Sequence, residues 1–197
     1  MSEKPFSESC ERNREPILAI LRAEFSQPAR ILEIGSGTGQ HAVHFGKAMP
    51  HVIWQTSDLA SNHPGIRAWI EDAALSNVLA PIELDVDGPW PEQTFDGVFT
   101  ANTLHIVSWD LAQKLVAGVA RLLDKRGLLA VYGPFNYGGQ FTSDSNARFD
   151  EWLKNRDPLS GIRDFEAVVK CAEINGLHLQ ADHAMPANNR LLVFMKN

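Results

Sequence analysis

Residues Ile31 to His41 constrain the fold of this chain more than any other stretch. An apolar run, Ile31-Leu32-Glu33-Ile34, enters glycines at alternate positions, Gly35, Gly37 and Gly39, and then Gln40-His41. That order reads as a buried strand, a tight turn and the start of a helix. Glycine takes positive φ without strain and lets the backbone approach a ligand, while the first N–H groups of a helix offer donors to an anionic group. The stretch is expected to be a cofactor cradle.

Four readings compete for it. A phosphate-binding P-loop needs a lysine and a hydroxyl residue after the last glycine, where this chain has Gln40 and His41. A dinucleotide fingerprint fits as Gly37-x-Gly39-x-x-Ala42 and stays open. Glu33 opposes it, because a carboxylate just before the turn repels a pyrophosphate but tolerates a cofactor carrying an ammonium and a sulfonium. A merely structural connection is the least economical reading, since three glycines within five residues cost backbone entropy.

Glu33-x-Gly35-x-Gly37-x-Gly39 resembles the first motif of class I S-adenosylmethionine-dependent methyltransferases, and the whole chain is similar to the methyltransferase-like protein 26 family. The resemblance implies S-adenosyl-L-methionine as cofactor. It also implies an α/β fold: a Rossmann-like, seven-stranded, mostly parallel sheet with helices on both faces and a C-terminal antiparallel hairpin.

Composition bounds the alternatives. The 197 residues are expected to form a single domain, 1–197, with 44% hydrophobic and 21% charged residues, as in ordinary globular proteins. Net charge is −6 and no Lys/Arg run stands out, so nucleic acid is not expected as a partner. Cys10 and Cys171 match no zinc or redox spacing, and no leader or membrane span is visible, which points to the cytoplasm and no membrane partner.

Along the chain, a helix is expected within Ser7–Phe25, with Pro16 as its first helical residue and Glu11–Glu15 as a solvated charged lead-in. The resemblance makes Arg12 and Asn13 candidates for the carboxylate end of the cofactor. His41 and His44, spaced i, i+3 on the next helix, lack a third ligand, and no metal site is expected. The second strand, His51–Asp58, ends in an acid nineteen positions after Gly39, close to the offset at which a carboxylate meets a ribose diol. A helix should follow from Ser61 to about Leu75, and a third strand over Ala80–Leu84 delivers Asp85. By resemblance Asp85 meets the adenine amino group and Val86 packs on the ring; a plain turn acid before Gly88-Pro89 is the equal alternative.

Phe95–Asn102 resembles the fourth strand of that superfamily, whose end faces the transferable methyl group, which implicates Asn102. Asn102-Thr103-Leu104-His105 departs from the Asn/Asp-Pro-Pro-aromatic motif of amide and base nitrogen methyltransferases, and the proline-cysteine pair of the cytosine enzymes is absent. His105 is a candidate general base, weighed against a packed histidine. A capped helix, Trp109–Leu123, and a buried strand, Leu128–Tyr132, follow.

The stretch 133–164 is expected to be a substrate cap, because a long connection after the fifth strand hangs over the ligand edge of an open α/β sheet. Tyr137, Asp144 and Arg163 are its candidate substrate residues; the alternative is an excursion whose Asp144, Arg148, Arg163 and Asp164 bridge only one another. Asp164 is expected to cap the last helix, and Leu177–Met185 and Arg190–Met195 to pair as a hairpin. The expected activity is methyl transfer to an unidentified small-molecule or protein acceptor. An NAD-dependent oxidoreductase and a non-catalytic S-adenosylmethionine-binding protein are the alternatives.

Overall fold

A computed structural model describes residues 4–27 and 29–197. The chain alternates helix and strand: α1 (Glu8–Glu24), β1 (Ala29–Ile34), α2 (Gln40–Ala48), β2 (Val52–Asp58), α3 (His63–Ala73), β3 (Val78–Glu83) and β4 (Phe95–Ala101). Then come α4 (Trp109–Leu122), β5 (Leu123–Asn136), α5 (Asp144–Arg156), β6 (Arg163–Asp164), α6 (Phe165–Ile174), β7 (Leu177–Met185) and β8 (Asn189–Lys196). The strands order as β3-β2-β1-β4-β5-β8-β7, with β6 attached only to β5. Pairings from β3 through β5 are parallel, and β8 runs antiparallel between β5 and β7. This is the expected Rossmann-like sheet of seven consecutive strands with its closing hairpin.

The order reverses between β1 and β4, because the chain builds outward to β3 and then returns to the other side of β1. Side chains of β1 alternate accordingly. Leu32 and Ile34 join the core beneath α4 and α6, and Ile31 joins the core beneath α1 and α2, with Phe45, Trp54 and Phe99. Glu33 shares the face of Ile31, so its carboxylate is delivered into the aromatic core rather than into solvent.

Several expected boundaries move. Helix α1 starts at Glu8, capped by Ser7, so Glu11–Glu15 is helical and Pro16 lies inside the helix rather than at its start. One missing backbone bond is tolerated because Ile17, Leu18 and Leu21 of the same helix are fully packed. The third strand begins earlier, at Val78. The fifth strand does not stop at Tyr132: Gly133 and Pro134 pair with Arg190 and Asn189, and Phe135 and Asn136 pair with β6. Only 137–162 of the expected cap therefore lies off the sheet. Asp164 sits at the N-cap position of α6 but makes no capping bond with its side chain, being held in β6.

Gly118 shows how tightly α4 is covered. A Cβ there would fall 2.1 Å from the Trp90 ring. Gly118→Ala is expected to lower stability by about 1–3 kcal/mol through overpacking, and adding Trp90→Ala should cancel most of the clash. Thermal denaturation of both variants checks this; an unchanged single variant would show that Trp90 is free to move away.

Candidate functional site

The glycine turn has the geometry its sequence requires. Gly35, Gly37 and Gly39 take φ of +73°, +57° and +89°, and the backbone at Gly35 and Gly37 is exposed. A Cβ on Gly35 would press against Thr103 Oγ1 at 3.1 Å. Most amides of the turn are engaged within the chain. Gly35 and Ser36 donate to Ser57 O at 3.1 and 3.0 Å, and Gly39 to Ser36 O at 2.9 Å. Gly37 donates to Asp58 Oδ2 at 2.7 Å, and Gln40 N to Thr38 Oγ1 at 3.3 Å. The chain itself consumes these five donors, which narrows the expected anion cradle to the first-turn amides of α2.

Asp58, 8% exposed, serves two purposes. Besides Gly37 it accepts from Leu59 N and from Asn62 Nδ2, both at 2.8 Å. Three donors occupy a group with about four acceptor positions, so the carboxylate fixes the turn and retains capacity for a hydroxyl. Below the turn, Glu33 is 2% exposed and accepts from Trp54 Nε1 at 3.1 Å. Burial is the main reason its pKa rises to about 7; the Trp54 and Ser36 hydrogen bonds oppose the rise and nearby Asp58 adds to it. Glu33 has no cationic partner among the described residues.

The N-terminal segment closes over this turn. Lys4 pairs with Asp72, and Trp69 Nε1 donates to Pro5 O at 2.7 Å. Buried Gln40 accepts from Ser7 N at 2.6 Å and donates to Glu11 at 3.0 Å. Asn13 is buried, its Oδ1 accepting from His41 Nε2 at 2.7 Å. Burial, reinforced by His44 and Arg14, depresses the His41 pKa to about 4. The histidine thus packs, stacked on Phe45 at 5.1 Å. Arg12 is exposed on α1, bridged to Glu8 at 3.1 Å.

On the other flank, Asp85 is exposed and accepts from Asp87 N within its own turn at 3.0 Å. Val86 is half-buried and packs toward the α4 core. Leu84, just before them, donates its N–H to Asp58 O at 3.0 Å. Asn102 ends β4 at φ +56°, a conformation asparagine adopts more readily than most residues, with its N–H bound to Tyr132 O at 2.8 Å. It opens onto a cavity of about 560 Å³. His105 and Ile106 line one side and α5 another, with Arg12 from α1 and Asn189 from the hairpin also in the lining.

His105 lines that cavity, 5% exposed, its ring 5.4 Å from Phe149. Burial first, and the Arg163 guanidinium second, lower its pKa to about 4. It is neutral at physiological pH and a weak base, so the expected role as general base is not favoured by its environment.

The cap holds this wall by its backbone. Arg163 donates Nε to Leu104 O at 2.9 Å and its guanidinium to Val107 O; Gly161 N reaches His105 O at 2.9 Å, and Ser160 Oγ reaches Ile106 O at 2.5 Å. Buried Asp150 in turn accepts from Ile162 N at 2.7 Å. Arg163 is therefore a positioning residue, its donors spent on carbonyls, rather than the substrate contact expected of it. The alternative that the cap's charges bridge one another fails as well for Arg163.

Tyr137 and Asp144 lie elsewhere. Tyr137 donates to Asp182 Oδ2 at 2.8 Å and stacks on Phe165 at 4.8 Å, and burial together with Asp182 pushes its pKa up. It borders a separate hollow with Arg190 and Met185. Asp144 is an exposed first-turn residue of α5, outside the cavity lining. The residues that do face the cavity from α5 are Ser145, Asn146, Phe149, Trp152, Leu153 and Arg156. Positions 149, 152, 153 and 156 follow the i, i+3, i+4, i+7 spacing of a helical face, a signal present in the sequence but hidden by its mixture of aromatic and charged residues.

Residues 4–196 match the family described as protein of unknown function (DUF938). The chain belongs to that family. Among solved structures it is similar to an O-methyltransferase family protein from Burkholderia thailandensis, with a TM-score of 0.83 at 15% identity over 93% of this chain and 56% of that one. It is also similar to the S-adenosylmethionine-dependent methyltransferase SibL in its apo form, with a TM-score of 0.81 at 19% identity over 95% and 55% of the two chains. PigF with SAH gives 0.79 at 16% identity over 92% and 55%. The DUF938 chain thus spans just over half the length of these proteins and shares their fold. No described helix is long and apolar enough to cross a membrane, and no group of three or more metal-binding side chains occurs among the described residues.

Glu33 gives the DUF938 chain an unusual stability profile. A carboxyl whose pKa rises on folding contributes fully below its unfolded value, here 4.5, and loses that contribution as pH climbs through about 7. At pH 8 the loss amounts to about 3 kcal/mol at most. His41 and His105, depressed from 6.5 to about 4, act oppositely and cost stability as pH falls through that window. Glu33→Gln keeps an acceptor for Trp54, and is expected to raise Tm at pH 8 with a gain that shrinks by pH 5. Melting curves across this range test it, and a pH-independent difference between the two proteins would contradict the assignment.

Proposed function

We propose that this DUF938 protein is a methyltransferase that binds S-adenosyl-L-methionine over the carboxyl ends of β1, β2 and β4 and transfers its methyl group to an acceptor in the cavity under α5. The observation that carries the reading is Glu33: a buried carboxylate without a cationic partner among the described residues, beneath a glycine turn most of whose amides are already engaged. That carboxylate suits a cationic ligand and repels the pyrophosphate of a dinucleotide. Likeness of fold to methyltransferases, one of them named with SAH, supports the same class. The resemblance to the methyltransferase-like protein 26 family belongs to this reading, as do a cytoplasmic setting and a small-molecule or protein acceptor rather than nucleic acid.

In this reading Gly35, Gly37 and Gly39 allow close approach, Asp58 receives a ribose hydroxyl on its remaining acceptor position, and Glu33 balances the positive charge. Asp85 and Val86 flank the adenine, while Arg12 and Asn13 bound the carboxylate end and Asn102 the methyl end. The bound cofactor supplies a methyl group already activated on a sulfonium. The chain's own task is to orient it, exclude water and fix the acceptor, and the cap performs the last through its hold on 104–107.

Calorimetry tests the proposal. S-adenosylmethionine should bind, with affinity rising from pH 6 to 8 as Glu33 ionises and with proton release near pH 7 that appears as buffer-dependent heat. Glu33→Gln should abolish that dependence. Asp58→Asn should weaken binding by about 1–3 kcal/mol. Tight NAD binding with no S-adenosylmethionine heat would overturn the reading; binding with no methyl transfer to a broad metabolite and protein extract would favour a non-catalytic binding protein.

A further inference from the structure

The cavity under α5 has a charge pattern opposite to that of the chain. The protein carries a net charge of −6, yet the charged side chains lining the cavity are Arg12 and Arg156, with no Asp or Glu among the described lining residues. Arg12 is bridged to Glu8, whereas Arg156 has no carboxylate partner among the described residues and lies 5.6 Å over the face of Trp152. Trp152 stacks on Phe149 with centroids 5.8 Å apart and planes within 13°. These two rings, with Ile106 also in the lining, give the cavity an apolar surface beside a guanidinium. The lining also contains no lysine, tyrosine or cysteine, and its one other titratable group is His105.

Building on the donor reading above, we infer that the acceptor is a small aromatic carboxylate, seated against Phe149 and Trp152, oriented by Arg156 and methylated on a carboxylate oxygen. A guanidinium matches a carboxylate in both charge and geometry, and holds it more specifically than an ammonium would. Planar apolar rings supply the remaining contact area. A cavity of about 560 Å³ suits a ligand of one or two fused rings. The acid also meets the chemical poverty of the site. A carboxylate oxygen attacks the methyl carbon with a lone pair it already has, the carbon–sulfur bond breaks with its electron pair passing to sulfur, and the products are a methyl ester and a thioether. No proton has to move. An alcohol or protonated amine would need a base that the lining lacks, since His105 holds a proton poorly.

Equilibrium binding of naphthoate and of its neutral isostere naphthylmethanol, with and without S-adenosylhomocysteine, tests the inference. The carboxylate should bind about tenfold or more tightly than the alcohol, a difference of ~1.4 kcal/mol. Arg156→Met should bring the two to parity, Arg156→Lys should restore part of the preference, and Phe149→Ala should weaken both alike. Arg156 is exposed on its helix, so these arginine variants should keep the wild-type melting profile. Equal binding of the two probes by the wild-type protein, or no binding of benzoate, naphthoate or indole-carboxylate, would overturn the inference. Arg156-dependent naphthoate binding without any response to S-adenosylhomocysteine would leave the aromatic-acid site standing and place the failure in the donor reading.

Discussion

The carboxylate of Asp58 is the joint on which the ligand edge of this sheet depends. It ends β2, yet one oxygen captures the amide of Gly37 in the turn after β1, and the other holds Leu59 and Asn62 at the approach to α3. Two adjacent strand ends and the helix beyond them are thereby fixed to a single side chain. The positive-φ glycines make the turn sharp enough to reach it. Ser57 O completes the closure by taking Gly35 and Ser36. The turn is consequently rigid before any ligand arrives, which places the ordering cost in folding rather than in binding.

That closure changes what the turn can recognise. With most of its amides internally bonded, the turn leaves the charge beneath it to a side chain, Glu33. A carboxylate kept among Trp54, Phe45 and Phe99 gives up hydration, and it repays that loss only when a positive charge comes near. Under the proposed function, stability and cofactor binding pull in opposite directions at this one residue.

A second rigid unit faces it. The 157–163 return of the cap supplies donors to four consecutive carbonyls, Leu104 to Val107, so the segment after β4 is held by its backbone and its side chains are left to shape the cavity. Arg163 explains a feature that sequence reasoning misjudged. An arginine beside an acid in a polar loop suggests ligand contact or a local ion pair, and only the folding of the loop back onto 104–107 reveals carbonyl oxygens as its partners. Tyr137 was misplaced for a related reason: continuation of β5 through Asn136 turns it toward Asp182, away from Asn102 and His105.

The sequence by itself determined the layered α/β order, the strand–turn–helix at Gly35–Gly39, the acid closing β2 and the antiparallel ending, because each follows from local rules: periodicity, glycine conformation and the short link between β7 and β8. It also determined that Glu33 precedes the turn. Tertiary structure alone decided which face Glu33 occupies, that Asp58 closes the turn, and that Phe149, Trp152 and Arg156 meet Asn102 around one cavity. Those outcomes depend on contacts between residues distant in the chain, and no spacing along the sequence specifies which donor a buried oxygen will find.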